Sequence, residues 1–248
     1  MSNAWDIAMN IIASVITGSA VWLAGKALAR RRLRRKQTFF GLGGGDECLV
    51  VVPRHASSDR LRSVHRNDAA ALLELSPVLG DCRARPEVVF HDDVYQGMAD
   101  KAEFCIGGPD ANRRSEAHLR AFLPRVRVAG FEDQPDELTI TVGGEDYPAE
   151  TGRVEYVVLA KLVRREQERP VFLISGQSSI SNRAAVRYLQ EHQRELTRAH
   201  GLRGRFCLVL KVVESHAYGP RISELVRDAT EEAFAAPEPA PEPEPAES

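Results

Sequence analysis

An apolar run from Trp5 to about Leu28 is followed at once by Arg30, Arg31, Arg32, Arg34, Arg35 and Lys36. A hydrocarbon core about 30 Å thick needs roughly 20 mostly apolar residues in a helix, and Ile7 to Gly25 with its flanks reaches that length. A cleavable signal peptide places positive charge ahead of a short apolar run. Here only Asp6 is charged ahead of the run and the basic residues follow it. The pattern predicts one transmembrane helix as an anchor over residues 1–29. By the positive-inside rule the protein is then a single-pass protein of the cell membrane, N-terminus outside and main domain cytoplasmic. A surface-lying amphipathic helix and a signal sequence are the alternatives. Gly18, Ala20, Ala24 and Gly25 would let two such helices approach closely, so self-association into a homo-oligomer is expected with the membrane contact of residues 5–28.

Residues 30–46 read as a basic juxtamembrane segment and a glycine-rich linker. Cationic clusters beside a membrane helix attract anionic lipid at about 1 kcal/mol per residue, which accounts for Arg30–Lys36 without a nucleic-acid partner. Residues 1–36 carry seven basic side chains and one acid, and the whole chain has a formal charge of −2. The remainder therefore holds 26 basic and 34 acidic residues, a charge of −8, which offers no footprint for a phosphate backbone. Gly41-Leu42-Gly43-Gly44-Gly45 precedes the first strand and lacks the Lys-Ser/Thr ending of a phosphate loop, so it reads as a flexible joint.

Beyond the anchor there is room for one domain, residues 47–234, and a tail. The tail, 235–248, alternates Pro with Glu and Ala and is expected to be extended and disordered. Cys48, Cys82, Cys105 and Cys207 show no paired spacing of the kind that holds zinc, and no His-Glu-x-x-His pattern exists, so no metal site is expected. Buried free thiols are the simpler account.

Within 47–234 short apolar runs alternate with helical patterns. The runs are Glu47 to Val52, Glu87 to Phe90, Glu103 to Ile106, Arg125 to Ala129, Val154 to Leu162, Val171 to Ile174 and Arg205 to Val213. Helices are expected at about Asp68 to Leu79, Asn112 to Leu123, Asn182 to His200 and Ile222 to Phe234. The alternation predicts an α/β fold, a Rossmann-like three-layer domain with a mostly parallel sheet. Asp136 to Tyr147, with its Gly143-Gly144 turn, reads as a β-hairpin insertion.

Ligands of open α/β sheets bind beyond the carboxyl ends of the strands. Four loops there are polar: His91-Asp92-Asp93, Gly107 to Glu116, Ser175 to Asn182, and Glu214-Ser215-His216. Gly107 and Gly108 would let a phosphate approach the backbone, Asn112 is placed to cap a helix, and Arg113 and Arg114 could bind phosphate or carboxylate. A tight turn with a capping Asn and two solvated arginines explains the same residues equally well. Gln177, Ser178 and Ser179 could contact sugar and base, or serve only as helix caps. Asp92, Glu116 and Ser178 are the candidate catalytic groups. Either Asp92 or Glu116 would act as acid/base, or Ser178 would act as nucleophile with Glu214 and His216.

Cys105-Ile106-Gly107-Gly108-Pro109-Asp110-Ala111-Asn112, paired with Phe172 to Ser179 before an Ala-Ala-Val-x-Tyr-Leu helix, resembles the Rossmann-like, SLOG-type nucleotide-binding domains of bacterial signalling and defence systems. It is also similar to uncharacterised microbial membrane-anchored Rossmann-like proteins. The resemblance covers most of residues 46–234. It implies a domain that binds a nucleotide or nucleotide-derived ligand, such as NAD, ADP-ribose or a cyclic nucleotide, and acts as sensor or effector. The Gly-Gly-x-Gly-Thr loop of the lysine-decarboxylase-like members is missing, so their glycosidic-bond cleavage does not carry over. Two other functions fit the same residues: a nucleotide or ester hydrolase on that site, and a non-catalytic membrane-tethered interaction module that recruits partners with its tail.

Overall fold

The computed structural model describes residues 2–55, 63–95, 97–98, 100–129, 138–165 and 168–236. The chain opens with helix α1 (Ser2–Phe40). There follow β1 (Glu47–Val52), α2 (Arg66–Cys82), β2 (Arg85–Phe90), β3 (Ala102–Ile106), α3 (Arg113–Phe122), β4 (Val126–Val128), β5 (Thr139–Val142) and β6 (Glu145–Pro148). The second half comprises β7 (Val154–Leu162), β8 (Val171–Gly176), α4 (Ser179–Glu191), α5 (Gln193–His200), β9 (Phe206–Val213), α6 (Ser215–Tyr218), β10 (Ser223–Asp228) and α7 (Thr230–Ala233). The expected tail from 237 onward lies outside the described residues, as does the Asp136 end of the expected hairpin.

Seven strands form one sheet in the order β10-β9-β7-β8-β3-β1-β2. Only β2, β1, β3 and β8 pair in parallel; β7 runs antiparallel to both β8 and β9, and β10 is antiparallel to β9. The expected Rossmann-like domain with a mostly parallel sheet is therefore corrected to a mixed α/β sheet. Eight residues, 163–170, connect β7 to β8. A parallel crossover needs about a dozen or more, so the chain has to turn straight back. β7 is nearly all apolar because both its faces are covered, and that composition does not distinguish a parallel from an antiparallel central strand.

Two further corrections concern local elements. Arg125 to Ala129 does not join the main sheet: β4 pairs antiparallel with β5, and β5 with β6 across the Gly143-Gly144 turn, giving a separate three-stranded sheet. Ile222 to Phe234 is not a helix. Its first part is β10, an edge strand on β9, and only Thr230–Ala233 is helical. Pairing with β9 outweighs the weak local helical preference of Ser-Glu-Leu-Val-Arg-Asp.

Among the described residues no helix is long and apolar enough to cross a membrane. This overturns the expected transmembrane anchor over residues 1–29, and with it the single-pass placement in the cell membrane with an outside N-terminus. Between Ile16 and Leu28 the apolar side chains of α1 are interrupted by Thr17, Gly18, Ser19, Gly25 and Lys26, a stretch short of the roughly 20 apolar residues a span needs. The basic run then continues in the same helix. Its last turn enters the domain: Phe39 and Phe40 are fully buried, and Leu42 joins them.

The two faces of the main sheet are covered differently. On the first, Phe39 and Phe40 of α1, Ala71 and Leu75 of α2, Ala185 and Leu189 of α4 and Leu196 of α5 form one core. Phe40 lies 5.3 Å from Phe172 between ring centroids, and Phe172 stacks on Phe104 at 5.1 Å. On the second, Leu119 of α3, Ile140 and Val142 of the small sheet and Ala233 of α7 form another. Because Phe39 closes the first core, Phe39→Ala is expected to lower the unfolding free energy of the chain by about 3–5 kcal/mol. Urea denaturation measures this, and a loss below about 1 kcal/mol would show that the last turn of α1 is not part of the core.

Candidate functional site

β1 and β3 are neighbours, yet the helices that follow them lie on opposite faces, α2 in the first core and α3 in the second. From β1 the chain goes to β2 on one side; after β3 it re-enters the main sheet at β7 on the other. Such a switch leaves a crevice beyond the carboxyl ends of the two strands. A cleft of about 240 Å³ lies there, lined by the loops after β1, β3 and β8 and by the first turns of α2 and α4.

Of the residues singled out from the sequence, Gly107, Gly108, Gln177, Ser178 and Ser179 line this cleft. Gly107 has a φ of +105°, and a Cβ there would come within 2.7 Å of the Pro53 side chain. Only glycine lets the β3 loop pass so close to the β1 loop. A Cβ at Gly176 would likewise stand 2.3 Å from Ser181 Oγ. Ser178 is the N-cap of α4 and forms a capping box with Ser181, and its hydroxyl donates to Glu155. Gln177 is fully engaged: its Oε1 accepts from Tyr156 N at 2.7 Å, and its Nε2 donates to the carbonyls of Leu138 and Tyr147. It ties β7, β8 and the small sheet together and keeps its side chain from a ligand.

The remaining expected residues lie elsewhere and have structural partners. Asn112 caps α3, accepting from the backbone of Arg114 and Ser115 while donating to Ile106 O at 2.8 Å. Arg113 N donates to His91 Nδ1, so the start of α3 is satisfied internally and is no phosphate cradle. Arg114 reaches down to Glu103, a bidentate pair at 3.0 and 2.9 Å. Asp92 sits in the exposed turn after the edge strand β2, outside the lining of the cleft, and Glu116 is half-buried and paired with Arg120. Glu214 and His216 do not meet Ser178; His216 lies against Gly152, and Ser215 donates to Glu155 at 3.2 Å.

Glu103, Cys105 and His118 lie close enough to suggest a cation site, and all three are buried. Burial opposes ionisation of Glu103, yet hydrogen bonds from His118 and Arg114 hold its carboxyl below the usual range. Burial pushes the Cys105 thiol far up, so it stays protonated. The cluster is a charge network under α3 in which Arg114 already supplies the cation.

Four groups that give the cleft its chemistry lie outside the loops singled out from the sequence, Arg54 and His55 after β1 and His65 and Asp68 at the start of α2; Asn182, the last residue of the expected Ser175–Asn182 loop, joins them on α4. His65 Nδ1 accepts from Asn67 N at 3.2 Å and faces Ser179 Oγ at 2.6 Å, so this nitrogen is unprotonated and the serine donates to it. Burial, with His55 and Arg66 nearby, lowers the His65 pKa and keeps the ring neutral. Asp68 accepts from Asn182 Nδ2 at 3.3 Å, while Asn182 Oδ1 holds Gly176 N at 2.8 Å. Burial raises the Asp68 carboxyl to about 6. The signal that could have located these residues is the strand-end rule itself, applied to Val52-Pro53-Arg54-His55.

No protein-family model matches the chain, and no curated protein or solved structure matches it either.

Asp68 generates a stability prediction. Its folded-state pKa lies above the ordinary 3.8, so the folded protein holds the proton more tightly and stability falls as pH rises from about 4 to about 6. The penalty is complete above that range. Asp68→Asn is expected to raise the unfolding free energy by about 1–3 kcal/mol at pH 7.5 and to give no such gain at pH 4. Urea titrations at the two pH values check this; a destabilised variant at pH 7.5 would show that the ionised carboxylate is compensated.

Proposed function

We propose that the cleft binds a nucleotide or nucleotide-derived ligand through one ribose-phosphate unit, and that the protein acts as a sensor or effector governed by that ligand. The observation that carries this reading is the position of the cleft at the β1/β3 switch point, with the start of α4 on its rim. The amide end of a 13-residue helix favours anionic groups. Arg54 adds positive charge at the mouth, and Gly108 lets the ligand approach the backbone. Asp68 offers an acceptor for sugar hydroxyls. Ser175 Oγ, buried beneath Gly108, has no hydrogen-bond partner among the described residues.

Size narrows the reading. At about 240 Å³ the cleft is smaller than the roughly 300–1,000 Å³ typical of pockets that enclose drug-sized ligands. It suits a mononucleotide, or the ribose-phosphate part of NAD or ADP-ribose, more than an enclosed dinucleotide.

A hydrolase is the second reading, and the contact between Ser179 and His65 favours it. In a serine triad the histidine uses one nitrogen for the serine and the other for an orienting carboxylate. Among the described residues no carboxylate is hydrogen-bonded to His65, and Ser178 and Ser179 have no positive φ of the strained nucleophile turn. Binding without turnover is therefore the reading adopted.

Calorimetric titration with AMP, cyclic AMP, ADP-ribose and NAD tests it. At least one ligand is expected to bind saturably, with affinity reduced tenfold or more, about 1.4 kcal/mol, by Ser179→Ala and by His65→Ala. Arg114→Ala is expected to leave that affinity unchanged while destabilising the fold by about 3 kcal/mol, since the buried Glu103 loses its cation and keeps only His118. Absence of binding by all four, or binding indifferent to both cleft substitutions, would overturn the proposal. Ligand turnover lost in Ser179→Ala with binding retained would establish the hydrolase instead.

A further inference from the structure

The opposite end of the sheet, where β7 ends and β8 begins, holds a larger cavity of about 720 Å³. The last turn of α1, the connection between β7 and β8 and the loop ahead of β9 border it, and it opens to solvent. Lys161, on β7, lines this cavity although its residue is only 1% exposed. Its Nζ donates to Leu202 O at 2.8 Å and lies 4.4 Å from the centroid of the Phe39 ring. No carboxylate among the described residues lies within ion-pair distance of it. An ammonium has three donors, and lysine is almost never fully buried unless paired. Burial pushes its pKa down to about 7, so the fold pays for this residue where a methionine would pack without penalty.

The walls supply further positive charge. Arg34 and Arg203 line the same cavity, Arg203 with a partner of its own. Arg169 is already engaged, donating to Gly41 O and pairing with Asp46 at 2.7 Å. Among the described residues of the lining the one acid is Glu168, which pairs with Arg164 at 3.0 Å. A concave, cation-lined volume with a buried lysine that lacks a counter-charge has the chemistry of an anion site.

We propose that this cavity is a second binding site, separate from the cleft at the β1/β3 switch, which takes a small soluble polyvalent phosphate anion with Lys161 at its floor and Arg34 and Arg203 at its walls. The depth of Lys161 argues for a soluble anion over a flat anionic surface, since such a surface could not reach a side chain buried behind Phe39. The volume accommodates several linked phosphate groups, and three cationic side chains match a multiply charged ligand better than a single carboxylate.

The test is calorimetry of the full chain with inorganic triphosphate as the probe. One saturable site is expected, weakened tenfold or more by Lys161→Met and by Arg34→Gln. Arg34 is exposed on α1, so its replacement does not threaten folding and decides the matter if Lys161→Met fails to fold. Arg198→Gln, in the separate basic groove between α1 and α5, and His65→Ala, in the cleft, are expected to leave the affinity unchanged. No saturable binding, binding that survives both cavity substitutions, or binding lost in Arg198→Gln alone would each overturn the proposal. The result is independent of whether the cleft binds a nucleotide.

Discussion

The divergence of α2 and α3 to opposite faces of the sheet, between the adjacent strands β1 and β3, sets where the polar groups of this protein gather. Two parallel strands whose following connections leave for opposite sides of the sheet cannot be sealed over at their carboxyl ends. The loops there must carry glycine where backbones pass closely, as Gly107 does against Pro53. They must also satisfy backbone amides with side chains, as Asn182 does for Gly176. A neutral His65 hydrogen-bonded to Ser179 and a carboxylate at Asp68 then stand in one cleft, suited to the recognition of hydroxyl groups.

The amino-terminal helix depends on the same sheet from its other end. Phe39 and Phe40 fill the space over Phe104, Phe172 and Phe206, so α1 is continuous with the core and not a separate element joined by a flexible segment. Lys36 reinforces the docking by pairing with Asp81 at the end of α2. The same docking buries Lys161 under Phe39 and brings Arg34 to the rim of the second cavity. One packing event thereby links the basic run to an open cationic pocket.

Much of this was legible in the sequence. The runs at 47–52 and 154–162 are strands with those same ends, because short, mostly apolar stretches rich in valine and bounded by polar turns favour strands. Of the loops expected at 107–116 and 175–182, residues 107–111, 176–179 and Asn182 line the cleft, and the rest do not. The direction of β7 was recoverable from the eight residues that precede β8 but not from its composition. The strand at 223–228 was not recoverable locally, since only pairing with β9 makes Ser-Glu-Leu-Val-Arg-Asp extended. Arg113 and Arg114 misled because a charged side chain after a glycine turn reads as ligand contact, whereas Arg114 answers a buried Glu103 eleven residues earlier. Nothing in spacing reveals that long-range pairing, and the same holds for His65 with Ser179.

The most direct measurement of the central claim is a histidine-selective nuclear magnetic resonance titration of the full chain with AMP. The account predicts that the ring signals of His55 and His65, both in the cleft, shift in a saturable way. His118, buried against Glu103, and His200, beside Asp228, are predicted to stay in place. Signals of His55 and His65 that remain unmoved at saturating AMP, whether or not others shift, would contradict the assignment of the cleft as the ligand site.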